Sequence, residues 1–152
     1  MDTRIRLEER SWDREQHLRH ISEGDWSPML DADGKVLRGI VGKHGVAGEK
    51  MDGTEIGSDY VKMEPGSHFP LHEHEGDHQI YFISGEGFVH IDGDNVAVRE
   101  GTLIHIPGEY PHGVWVDEKA LEPLIFAAMG HPHKKVDAAD RMNHPHHHHE
   151  PR

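Results

Sequence analysis

The apolar residues of this chain are distributed unevenly. From Thr54 onward they come in short alternating runs, each closed by turn residues: EIGSDYVKM before EPGS, HQIYFI before SGEG, FVHI before DGDN, VAVR before EG, TLIHI before PGEYP, HGVWV before DEKA, and finally PLIFAAM. Successive side chains of a strand point to opposite faces of its sheet, so runs of this kind predict short antiparallel strands joined by tight turns. Their recurrence without intervening helical periods predicts an all-β sandwich or barrel rather than βαβ units. In HQIYFI the alternation sets His78, Ile80 and Phe82 on one face and Gln79, Tyr81 and Ile83 on the other. Near the start, Leu7, Trp12, Leu18 and Ile21 predict a short helix covering part of a sheet within a highly charged segment. Residues 23–53 are rich in Gly and Asp and predict a hairpin turn at DADGKV and a short strand at VLRGIVG.

Composition narrows what these strands can serve. A chain of 152 residues suits one domain with a real core. With no cysteine, disulfides, thiolate metal sites and cysteine nucleophiles are excluded, and any chemistry must use nitrogen and oxygen donors. Lys and Arg total 16 against 28 Asp and Glu, and the resulting net charge of −12 argues against nucleic acid or an anionic membrane as partner. No apolar run reaches transmembrane length and MDTRIRLEER is too polar for a secretory signal, so a cytoplasmic location is expected.

The candidate chemistry lies in GSHFPLHEHEGDHQIYFISGEG, where His72, His74 and His78 fall within seven residues. On an extended segment His72 and His74 share a face, as two imidazoles must to hold one metal ion, and a one-residue slip would turn them outward. Seventeen histidines make one such pair alone uninformative. A second segment, GTLIHIPGEYPH, adds His112 five positions after Pro107.

Taken together the two segments resemble the paired motifs of the cupin superfamily. Gly66, His72, His74, His78 and Gly85 stand at the spacing of the first motif, with His78 where that family most often has glutamate; Gly101, Pro107 and His112 stand at the spacing of the second. Glu109 replaces the second motif's usual glycine and Val116 its closing asparagine. The resemblance covers about residues 56–128 and implies a double-stranded β-helix, or jelly-roll barrel. Its domain reading is an N-terminal extension over 1–53 packing on the barrel, a barrel over 54–130 and a His-rich tail over 131–152. It implies one divalent metal ion, Fe or Mn favoured over Ni, Zn or Cu, held by His72, His74, His78 and His112, with Ile80, Phe82 and Val114 lining the pocket. It also implies a homodimer and a metal-dependent enzyme, a dioxygenase-like oxidoreductase cleaving C–C bonds in a small anionic or enolisable substrate. A non-redox lyase or isomerase and a ligand- or metal-sensing module are the alternatives. Four neutral imidazoles leave the full +2 charge of the ion in place, which favours an anionic ligand.

The remaining histidines carry less. His68 reads as a solvated turn residue, and His90 and His105 lie on strands where either could accept or orient the ring proton of a ligand histidine. The tail MNHPHHHHEPR binds metal loosely on composition alone.

Overall fold

A computed structural model describes residues 12–47, 56–73 and 76–130, and within them the chain is almost entirely antiparallel sheet. One short helix, α1 (Arg14–His17), is followed by ten strands: β1 (Ser27–Leu30), β2 (Val36–Ala47), β3 (Gly57–Met63), β4 (His68–His72), β5 (His78–Ser84), β6 (Glu86–Ile91), β7 (Asp94–Arg99), β8 (Leu103–Ile106), β9 (His112–Trp115) and β10 (Leu124–Gly130). They form a six-stranded sheet in the order β1-β2-β3-β10-β5-β8 and a four-stranded sheet in the order β4-β9-β6-β7. Every run read as a strand from Ile56 onward is a strand. β1 and β4 were not expected, and β2 extends well past VLRGIVG.

The expected covering helix is a correction. α1 is a single turn with no buried residue, Trp12 is 66% exposed and Leu18 49% exposed. Asp13 caps it by accepting from the Glu15 amide, and Leu18 is already extended. So few apolar side chains in so charged a segment cannot hold a longer helix against a sheet. Leu7 lies outside the described residues.

β1 and β2 continue the main sheet instead of forming a separate layer, with β2 paired along β3 from Ile40–Met63 to Ala47–Gly57. Trp26 lies beneath the ammonium groups of Lys43 and Lys62, 4.5 and 5.0 Å from its ring centre.

Directly paired residues of neighbouring strands face the same side, so the register sorts the core into rows. The deepest row joins Ile40, Met63 and Leu124, and the next joins Val61, Phe126 and Phe82, whose rings lie 5.4 Å apart. Val89, Val98 and Val114 oppose them from the other sheet, with Val116 just past the end of β9, all buried. Inward positions nearer the other end, Ile91, Ile104 and Ala128, are only partly buried. The barrel is closed where Met63 and Leu124 meet and more open where His72, His78 and His112 stand.

Two turns carry non-glycine residues in the left-handed region. Asp92 and Gly93 have φ of 53° and 79° in the two-residue β6–β7 hairpin, whose type requires positive φ at both positions. Glu109 has φ of 61°, which is why a glycine would suit this position of the second motif. Replacing Glu109 with Gly is expected to stabilise the fold by roughly 0.5–1 kcal/mol, the relief of a side chain in that region less the entropy glycine adds to the unfolded chain. Urea unfolding of the two proteins is the check; a destabilised Glu109→Gly would mean that the glutamate side chain contributes a contact worth more than the strain.

Candidate metal centre

The site begins with the pairing of β4 and β9. His72 and His112 are direct cross-strand partners, and their rings approach to 4.3 Å between centres at an interplanar angle of 56°. An irregularity in β4 between Phe69 and His72 sets this register. It presses Pro70 and Leu71 so close to β9 that a Cβ at Gly113 would lie 2.8 Å from the Phe69 carbonyl oxygen and 3.3 Å from the Leu71 nitrogen. Gly113 is therefore glycine because backbone occupies the space its side chain would need. Proline is tolerated at position 70 because β4 is an edge strand.

Both rings are oriented the same way. His72 Nδ1 lies 2.8 Å from the Pro70 carbonyl oxygen, and His112 Nδ1 lies 2.8 Å from the Tyr110 carbonyl oxygen. A carbonyl can only accept, so in each ring Nδ1 carries the proton and donates it, leaving the lone pair of the neutral imidazole on Nε2. Fixing the tautomer through the non-ligating nitrogen is what a histidine ligand requires. His112 is 3% exposed, and Phe69 packs on His72 at 4.8 Å between ring centres.

His78 opens β5 in the opposite sheet, paired with Ile106 of β8 and Gly130 of β10. Its inward side is fixed by alternation: Ile80 and Phe82 are buried while Gln79 and Tyr81 are exposed. The His78 Nε2 atom is buried. A Cβ at Gly130 would stand 3.1 Å from two carbons of the His78 ring and 2.6 Å from the Asp77 carbonyl oxygen. Asp77 ties this corner down: its Oδ1 accepts from the Gly108 amide at 2.9 Å, and its Oδ2 lies 2.8 Å from His105 Nε2. The turn leading to His112 is thus fastened to the residue preceding His78.

Of the four expected ligands, the structure brings His72 and His112 into contact and places His78 inward on the facing sheet. His74 lies outside the described residues, and among the described residues no group of three or more His, Asp or Glu is gathered as a metal cluster. Of the expected lining residues, Ile80 and Val114 are the next inward positions after His78 and His112, while Phe82 sits one row deeper. Val61 is in the same deep row as Phe82. His90 and His105 do not orient these histidines. His90 Nδ1 pairs with Asn95 Oδ1 at 3.0 Å on the outer face, and His105 faces outward to Asp77 and Gln79, because Val89 and Ile106 hold the inward positions of their strands. Backbone carbonyls do the orienting instead. His68 is an exposed strand residue opposite Trp115 rather than a turn residue.

The pair suits a divalent ion by its chemistry: two neutral imidazoles, tautomers fixed by carbonyls, with lone pairs on the nitrogens not engaged by the backbone. Two antiparallel sheets facing each other, with histidines on facing strands at the open end, define a small β-barrel of the double-stranded-helix class. Residues 59–126 match the model of the cupin domain, and the barrel is a cupin domain.

Among its relatives is an oxalate-binding protein from Thermotoga maritima, 36% identical over 55 residues, covering 36% of this chain and 46% of that protein. The curated relatives it matches are thus spanned over 46% and 66% of their own lengths. Similar solved structures include a predicted oxalate decarboxylase from Thermotoga maritima, with a TM-score of 0.60 and 25% identity over 73% of this chain and 95% of that one. A cupin-2 domain protein from Rhodospirillum rubrum aligns with a TM-score of 0.62 and 20% identity, over 84% of this chain and 85% of that chain. Among the described residues no helix is long and apolar enough to cross a membrane.

Proposed function

We propose that the barrel holds one divalent metal ion through His72, His74, His78 and His112 and acts on a small carboxylate or enolate, cleaving a C–C bond beside the acidic oxygen. The observation that carries this reading is the matched orientation of His72 and His112, each with Nδ1 donating to a carbonyl two residues earlier at 2.8 Å. A surface or core histidine has no need of that arrangement twice on paired positions.

When bound, the ion supplies a Lewis acid that polarises an anionic oxygen. The chain's part is to position and to exclude water. Buried Ile80 and Val114, with the partly buried Ile104 and Ile91, make the surroundings apolar, so an anionic ligand feels the site charge more strongly than it would in open water. Because the imidazoles are neutral, they do not offset that charge. A likeness to an oxalate-binding protein and to a predicted oxalate decarboxylase supports a small carboxylate as the ligand. Oxidative, dioxygenase-like cleavage with Fe or Mn is the form we favour. A ligand-binding module is the second reading, favoured by the oxalate-binding relative. Pairing of two copies through exposed sheet edges fits the open ends of both sheets at β1, β8, β4 and β7.

The test uses a chain truncated after Arg141, which removes His144, His146, His147, His148 and His149 and so any ion held by that run of histidines. Elemental analysis is expected to find about one ion per chain. Oxygen-uptake and carbon-dioxide-release assays against oxalate, keto acids, diketones and phenols then separate oxidative cleavage from decarboxylation. A truncated chain that retains no ion sinks the metal reading; one that retains the ion, binds oxalate and turns nothing over points to the binding module.

A further inference from the structure

The inward face of the six-stranded sheet changes character along β10. Its inward positions are Leu124, Phe126, Ala128 and Gly130, paired on β5 with Phe82 opposite Phe126, Ile80 opposite Ala128 and His78 opposite Gly130. Beyond Phe126, side-chain volume therefore falls stepwise toward the histidines. Leu124 is 0% exposed and Phe126 3%, whereas Ala128 is only partly buried. At Gly130 the step is forced, since the His78 ring and the Asp77 carbonyl fill the place of a side chain. At Ala128 the row runs the other way, from Ile104 through Ile80 to a single methyl, and ends in Asp59, which pairs with His44 at 3.2 Å.

Within one row, then, two isoleucines lie on one side of a small residue and Asp59 on the other, one step from His78 and on the same face. A barrel packed to native density does not leave such a step for packing alone. We propose that Ala128 sets the size of ligand accepted at the histidine end: a carboxylate whose anionic oxygen faces His78 and the His72–His112 pair, and whose apolar body lies on the Ala128 methyl against Ile80 and Ile104. Ala128 is paired across the sheet with Ile80 and Asp59 and not with a histidine of the site, so it acts on the ligand's body and leaves the charged end alone. The inference rests on the metal-centre reading, and its test is arranged so that the two fail separately.

The truncated chain is loaded with cobalt(II), and its visible absorption is followed during titration with formate, which has no apolar body, and with benzoate, which has one. Ala128→Leu is expected to keep cobalt and formate affinity while weakening benzoate about tenfold or more, the discrimination a few carbon atoms give in an apolar pocket. Ala128→Gly, which cannot fail through overpacking, is expected to leave formate unchanged and to bind benzoate as tightly as the parent or more tightly. Cobalt held by all three chains with an unchanged benzoate-to-formate ratio in both variants overturns the role of Ala128 alone. Equal weakening of both anions in Ala128→Leu, or weaker benzoate binding in Ala128→Gly, overturns it as well. A parent chain that takes up no cobalt overturns the metal centre, and this proposal with it.

Discussion

Replacing His112 with Ala is expected to abolish tight metal binding while the barrel still folds. His112 is the most enclosed of the described histidines at this site, at 3% exposure, and its Nδ1 is committed to the Tyr110 carbonyl, so its other nitrogen can serve only the interior. Losing a partner that merely orients a metal ligand costs about 10–100-fold in affinity, and losing the ligand itself is expected to exceed about 100-fold. The strands carrying Val89, Val114, Phe82 and Leu124 remain apolar and paired, so the β-sheet circular dichroism is expected to persist. Equilibrium dialysis followed by elemental analysis gives the result. If His112→Ala retains the ion in the truncated chain as tightly as the parent, the reading of β9 as a ligand strand is wrong.

The second large effect is expected at a residue with no functional group. Gly130→Ala places a methyl 2.6 Å from the Asp77 carbonyl oxygen and 3.1 Å from the His78 ring, and one of the two must move. Overpacking of this kind costs roughly 1–3 kcal/mol of stability. If His78 is a ligand, displacement of its ring also lowers metal affinity, by about tenfold or more on the scale of other orienting groups. Gly34→Ala provides the comparison. Its φ of 83° makes the substitution strained, yet no atom lies within 4 Å of the added Cβ, so stability falls and metal affinity does not. Thermal melts and metal titrations of the two variants separate the effects. Parent-like metal affinity in Gly130→Ala would remove His78 from the ligand set.

Much of the architecture was legible because half-buried strands leave a two-residue signature. β5 through β10 were each marked by apolar alternation closed by Gly, Pro or Asp, and the inward set His78, Ile80, Phe82 follows directly from it. β4 was not legible as a strand because its alternation is broken: Phe69 and His72 both face inward, three residues apart, across the irregularity at Pro70 and Leu71. The same irregularity brings His72 opposite His112, so the feature that hides the strand also builds the site. The groups orienting the two rings were not legible either, since a backbone carbonyl leaves no residue type to read. The sequence offered side chains for that task, His90 and His105, and the register turns both outward.

β4 is five residues long, lies at the edge of the four-stranded sheet, and pairs with β9 only at His68, Phe69 and His72. An edge strand with so few pairings opens locally far more readily than the interior strands it leans on. His112 belongs to an interior strand held on both sides, by β4 and β6. The two halves of the imidazole pair are therefore mounted on elements of unequal lability. Ion release through this pair would be paced by fraying of β4 and not by exchange at His112, and whatever lies against the outer edge of β4 would govern residence time without touching the site.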